Sequence, residues 1–281
     1  MSRLAKRKIK NVVALGLCLA FAALVMLPLF ALVAYVSARG LQNLSISFFT
    51  NLPAPPRSME GGLGNALLGS LYMVAIGSVI ALPTGIFAGI HLAEFGRGRL
   101  AFAVRFCSDV LTGVPSIVVG IFVYIMLVRT LGTFSALAGG VALSIIMIPI
   151  ITRTVEEILL TVPAEIREAS LALGATSWRT TVSVVLPAAA GGMVTGIMLA
   201  VARAAGETAP LLFTALNSRF WPGPLIEPTA SLPVYIFSYA ISPYEQWQNL
   251  AWAGAFILVA LLLVANILAK YVAARFGTVG R

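Results

Sequence analysis

The sequence predicts an all-α membrane protein, one polytopic bundle of six transmembrane helices, and three observations carry that reading. Hydrophobic residues make up 59% of the 281-residue chain, and the mean hydropathy is +0.97, beyond the roughly 45–50% apolar content of ordinary soluble domains. Stretches of about 20 apolar residues are needed to cross a bilayer, and six fall at roughly 11–37, 65–93, 107–128, 134–152, 188–216 and 250–274. Finally, the basic residues are unevenly placed. With the amino end inside, only Arg39, Arg57, Arg129 and Arg219 fall outside and Arg203 falls within a span; the other fourteen of the 19 Lys and Arg lie on the cytoplasmic side. The positive-inside rule accounts for the net charge of +9 better than nucleic-acid binding does. Both termini are therefore expected in the cytoplasm.

Residues 1–63 read as an N-terminal helix with an extracytoplasmic loop, and 64–275 as the main transmembrane domain. Arg3, Lys6, Arg7, Lys8 and Lys10 precede an apolar run, Val12 to Val36. That run is too long for a cleavable leader, whose apolar core spans about 7–15 residues. Pro53-Ala54-Pro55-Pro56 and Gly61-Gly62 mark an irregular external loop over 38–63. The second span carries Gly69, Gly77, Gly85 and Gly89, small residues that let membrane helices approach closely. His91, at its cytoplasmic end, reads as an interfacial side chain rather than a ligand.

The third span contains Gly113-Val114-Pro115-Ser116. Such a sequence means a kink, or an opened backbone of the kind tolerated beside protein or a water-filled cavity, and the second reading makes Pro115 and Ser116 pathway candidates. The fourth span ends at Ile148-Pro149-Ile150-Ile151, and Arg153, Glu156 and Glu157 mark exit to the cytoplasm. The fifth starts at Pro187 with a small-residue face. Residues 217–248 form a second external segment, rich in proline, whose apolar part Val234 to Ala240 re-enters or lies at the interface. The last span ends in Lys270 and Arg275.

A cytoplasmic loop over 153–187 holds the most regular polar stretch. Ala164, Ile166, Ala169 and Leu173 alternate with Glu165, Arg167 and Glu168 at helical spacing, so a short amphipathic helix is expected. Gly174 supplies a turn. A second helix, Ser177 to Val185, is expected to end before Leu186-Pro187. This layout either packs as an interface helix or docks a partner. Glu168-Ala169-Ser170, three residues, Gly174, nine residues, then Val184-Val185-Leu186-Pro187 resembles the coupling motif of permease subunits in bacterial ABC importers, with Ser170 and Val184 as two mild departures.

Arg203 and Glu207 place two charges in the fifth span. A charge near mid-bilayer costs at least about 2.5–3.5 kcal/mol on insertion scales. At i and i+4 the two can form a structural ion pair. Alternatively they form an anion passage, where a guanidinium fork suits tetrahedral oxyanions and Glu207 accepts the proton of a partly protonated one. Ala202-Arg203-Ala204-Ala205-Gly206-Glu207-Thr208-Ala209-Pro210, with Gly113 to Val118 and Met147-Ile148-Pro149, is similar to the second permease subunit of phosphate-specific ABC importers. The resemblance implies inward phosphate movement by alternating access in the bacterial inner membrane. It implies, as partners, a second and different permease subunit, two ATP-binding subunits, an extracytoplasmic phosphate-binding protein and membrane lipid. On it, Arg203, Glu207, Pro115 and Ser116 are expected along the pathway, and Glu165, Arg167, Glu168, Ala169, Gly174, Leu186 and Pro187 at the ATPase contact.

No phosphate-binding G-x-x-x-x-G-K-[ST] run occurs, so ATP hydrolysis is expected on a partner and not on this chain. Cys18 and Cys107 sit in or beside apolar spans, and neither a metal nor a cofactor is expected. Importers of molybdate, sulfate or phosphonate remain as sibling readings. From other classes there remain a membrane scaffold, which has no need of a pore-facing arginine, and an intramembrane enzyme, which needs a catalytic set the sequence lacks.

Overall fold

The computed structural model describes residues 3–56 and 61–276, so Arg57 and Arg281, assigned to opposite membrane sides above, lie outside the described residues. Thirteen helices follow in order: α1 (Arg3–Gln42), α2 (Ile46–Thr50), α3 (Gly64–Ile90), α4 (Gly98–Gly113), α5 (Ser116–Val123), α6 (Arg129–Leu131), α7 (Ala136–Leu160), α8 (Ala164–Ala172), α9 (Ser177–Thr180), α10 (Leu186–Ala205), α11 (Ala209–Thr214), α12 (Leu232–Ala240) and α13 (Glu245–Phe276). Single π-helical turns continue α3 over His91–Phe95, join α5 to α6 over Tyr124–Val128, and join α9 to α10 over Thr181–Val185. No strand occurs among the described residues.

Five segments are long and apolar enough to cross a membrane: Lys6–Gln42, Gly64–Phe95, Ala136–Leu160, Ser177–Ala205 and Glu245–Ala273. The third span is not one rod. Its halves, Gly98–Gly113 and Ser116–Leu131, meet at 104°, so six spans are reached when this bent pair is counted as one.

The centre of the bundle is α3 against α7. An added Cβ would meet Gly140 O at 3.0 Å from Gly77, Ile151 at 2.7 Å from Gly85 and Val155 at 2.7 Å from Gly89, so the glycine face of α3 lies directly on α7. Met73, Leu143, Met147, Ile151 and Val155 are buried at this contact. The proline-rich segment 217–248 and the start of α7 close one end of the pair. Ser135 caps α7 by accepting from Ala138 N at 3.1 Å, and Ala136 N and Leu137 N donate to Glu227 O and Leu225 O at 3.1 and 2.9 Å. The apolar run inside that segment is α12, whose Leu232 N donates to Ser70 Oγ at 2.7 Å on α3. Helix α1 stands apart. It leans on α13 through Tyr35 and Trp252, edge to face at 5.3 Å, and its Leu, Val and Phe side chains are largely exposed, a surface suited to lipid rather than water.

Three expected boundaries change. Residues 153–160, expected at the start of the coupling loop, are helical, because α7 runs unbroken to Leu160. The helix expected to stop before Pro187 instead continues from Ser177 to Ala205. A proline inside a helix removes one donor and crowds the carbonyl four residues back; the π turn inserts a residue just ahead of Pro187, with Leu186 N reaching Thr181 O, and absorbs that conflict. At the far end, the fifth span stops at Ala205 and not near 216, since Gly206 to Thr208 interrupt the helix before α11.

Candidate functional site

The two interruptions face each other. Val114 and Pro115 are extended, at φ −70°, ψ 130° and φ −57°, ψ 133°, the conformation that proline imposes on itself and on its predecessor. Helix α5 restarts at Ser116, and its first backbone N–H groups have no partner within the helix, leaving a partial positive charge at that end. Across from it, Arg203 occupies the last turn of α10 and Glu207 lies beyond the helix end, its N–H bonded to Ala204 O at 3.1 Å.

Between them is a cavity of about 260 Å³, lined by Thr112, Gly113, Val114, Pro115, Ser116, Arg203 and Glu207, with Ile146 and Ile150 as its apolar wall. Ile146 and Ile150 sit midway along α7, so the cavity is at mid-depth of the bundle. Arg203 Nε is 3.9 Å from Glu207 Oε1, with side chains 58% and 18% exposed. That exceeds hydrogen-bond length. The Arg203 carbonyl accepts from Gly206 N, but among the described residues its guanidinium makes no hydrogen bond, so its donors are available to a further group. All four residues expected along the pathway thus share one cavity.

The residues expected at the ATPase contact do not share one surface. Glu165, Glu168 and Ala169 are exposed on α8, beside Ile166, Leu173 and Trp178, exposed by 41%, 90% and 61%. Gly174 turns the chain at φ +85° with open space around it, and Thr176 caps α9 by accepting from Arg179 N at 3.3 Å. Arg167 departs from the expectation. Its guanidinium points inward, donating to Glu94 Oε1 and Leu159 O at 2.8 Å each and to Val162 O. Leu186 also turns inward and packs on the core, while Pro187 is exposed on the α10 shaft.

Two acidic residues escaped the sequence reading. Glu156, taken as a cytoplasmic flank, is 2% exposed; it accepts from Arg105 Nε at 2.5 Å and Arg153 Nη1 at 2.8 Å, and Arg153 Nε also reaches Asp109 at 3.0 Å. The Arg153 to Glu156 spacing, i to i+3 on a helix, was the available signal. Glu94 had no local signal, because its partners Arg167 and Thr181 are remote in sequence.

A family model described as the binding-protein-dependent transport system inner membrane component matches residues 81–278. The chain belongs to that family. Among its relatives, the Phosphate transport system permease protein PstA of Yersinia pestis is 44% identical over 270 residues, covering 96% of this chain and 92% of the relative. The protein of the same name from Haemophilus influenzae is 47% identical over 234 residues, covering 83% and 82%. In fold, the chain resembles a chain of the bacterial alginate ABC transporter, with a TM-score of 0.68 at 12% identity over 98% of this chain and 99% of that one. It also resembles a chain of the MetNI methionine ABC transporter in an inward-facing conformation, with a TM-score of 0.59 at 21% identity over 76% and 94%.

Proposed function

We propose that this chain is one permease subunit of an ATP-driven importer and carries inorganic phosphate across the bacterial inner membrane through the cavity between the two helix breaks. The names and high identity of its relatives supply the substrate. One observation carries the chemistry: an arginine with available donors, a carboxylate and a helix N-terminus line one mid-depth cavity. Phosphate entering from water loses hydration. The Arg203 fork and the α5 terminus replace part of it with charge and donors matched to tetrahedral oxygens. Glu207 adds discrimination, since a carboxylate accepts a hydrogen bond from the remaining P–OH of hydrogen phosphate and repels a fully ionised sulfate.

Work is supplied from outside the chain. The exposed face of α8, with Glu165, Glu168, Ala169 and the apolar tips Ile166, Leu173 and Trp178, fits a groove on an ATP-binding subunit. Two such subunits, a second and different permease, and an extracytoplasmic phosphate-binding protein complete the complex, with both termini of this chain cytoplasmic. Residues 1–63 add a peripheral helix to a transmembrane domain over 64–275 that carries the pathway.

The test is labelled-phosphate uptake into proteoliposomes holding the whole complex, with ATP inside and phosphate-loaded binding protein outside. Accumulation that excess sulfate and molybdate leave unchanged is expected. Accumulation of molybdate or sulfate in place of phosphate would reassign the substrate, and no ATP-dependent uptake of any oxyanion would remove the transport reading.

A further inference from the structure

The π turn His91–Phe95 is held by side chains from two separate parts of the molecule. From the coupling loop, Arg167 Nη2 donates to Glu94 Oε1 at 2.8 Å, and Thr181 Oγ1 lies 3.5 Å from Glu94 Oε2. From the first arm of the broken span, Arg105 Nη2 donates to Leu92 O at 2.9 Å. The Glu94 side chain is 10% exposed and that of Arg167 23%, so water competes little for this pair. Helix α8 packs chiefly on α9 and the Thr181–Val185 turn, whereas α4 packs chiefly on α7. The coupling loop therefore reaches α4 by two routes, through α7, which leads into α8 and packs on α4, and through the polar contacts on the π turn.

We propose that Glu94 is a positioning residue that transmits displacement of the coupling loop, through the π turn and Arg105, to the broken span, and so sets the opening of the cavity that Arg203 lines; this rests on the importer reading above. The geometry suits such a role. Arg167 holds Glu94 with one edge of its guanidinium and the end of α7 with the rest, through Leu159 O and Val162 O. A push on α8 is thus shared between α7 and the π turn. Arg105 passes the turn's movement into α4, whose other end, Thr112 and Gly113, forms the cavity wall. Arg105 is itself fixed on Glu156, so α4 moves with its ion pair or not at all. The path is two directional hydrogen bonds, Arg167 to Glu94 and Arg105 to Leu92 O, joined by the backbone of the π turn.

A relay and a static staple differ in what their loss changes. In the reconstituted complex, with phosphate-loaded binding protein, Glu94→Gln keeps a hydrogen-bonding side chain and loses the charge. The expectation is an assembled complex whose ATP hydrolysis without binding protein is retained, while phosphate moved per ATP falls at least about fivefold, the scale of a coupling contact. A Glu94→Gln complex that assembles and moves phosphate per ATP at the parent ratio would overturn the proposal. Should Glu94→Gln fail to assemble, Arg167→Lys decides: it keeps the charge but lacks the fork that spans Glu94 and two carbonyls, and is expected to lower the same ratio. A parent ratio in assembled Arg167→Lys would overturn the relay equally. Failure of the parent complex to take up phosphate would instead count against the importer reading.

Discussion

Gly120 of α5 lies directly on Pro210 of α11: a Cβ added to Gly120 would come within 2.7 Å of Pro210 Cα. This contact locks the two interrupted segments together and holds the 104° bend against the Arg203 side of the cavity. A methyl here meets backbone, which cannot rotate away. Gly120→Ala is expected to destabilise the protein by about 1–3 kcal/mol, as overpacking does, and to lower phosphate uptake per assembled complex. Thermal unfolding in detergent with Gly16→Ala as control checks it, because an added Cβ at Gly16 meets nothing within 4 Å. Equal melting temperatures for the two variants would mean that the bend does not depend on this contact.

Gly174 turns at φ +85° with no atom near an added Cβ. Asp and Asn enter that backbone region more readily than other side chains, so Gly174→Asp and Gly174→Asn are both expected to insert and assemble. The charged variant is expected to abolish the stimulation of ATP hydrolysis by loaded binding protein, since it sets a carboxylate at the proposed docking turn; the Asn variant loses less. If stimulation survives in Gly174→Asp, the α8 face is not the docking surface.

How much of this was legible in the sequence depends on how local each cause is. Gly174 as a turn, the glycine face of α3 and the positions of the apolar segments follow from residue type and spacing, and the structure has them. Pro115 announces a break, but its angle is fixed by Gly120 meeting Pro210, 90 residues further on. Pro187 reads as a helix start; the π turn that lets the helix run through it is a backbone adjustment with no residue signal of its own. Arg167 occupies the polar side of an amphipathic helix and looked outward-facing. It turns inward because Glu94, 73 positions away, and two carbonyls at the end of α7 outcompete water for its donors.

The orientation is tested with single cysteines in a variant carrying Cys18→Ser and Cys107→Ser, both of which replace exposed thiols. Ile226 is 57% exposed in the 217–248 segment expected outside, and Arg97 is exposed in the basic loop expected in the cytoplasm. In intact cells, Ile226→Cys is expected to react with a membrane-impermeant maleimide and Arg97→Cys to react only after permeabilisation. The reverse pattern would invert the topology drawn from the basic residues.

The Arg203 and Glu207 pair separates an anion site from a structural bridge. At 3.9 Å and with the guanidinium side chain 58% exposed, the pair resembles a surface bridge worth about 0–1 kcal/mol, less than the roughly 2.5–3.5 kcal/mol that a mid-membrane charge costs. Mutual neutralisation therefore does not account for the arginine, and this is the reason for proposing an anion site. Arg203→Gln is expected to leave assembly near the parent level and to abolish phosphate uptake, because the amide keeps hydrogen bonding and loses the charge that offsets desolvation of the anion. If the pair were structural, Arg203→Gln would strand Glu207 and lower assembly, and the neutral double variant Arg203→Gln/Glu207→Gln would recover both assembly and uptake. Uptake by that double variant near the parent rate sinks the anion site; an assembled double variant that moves no phosphate is the expected result.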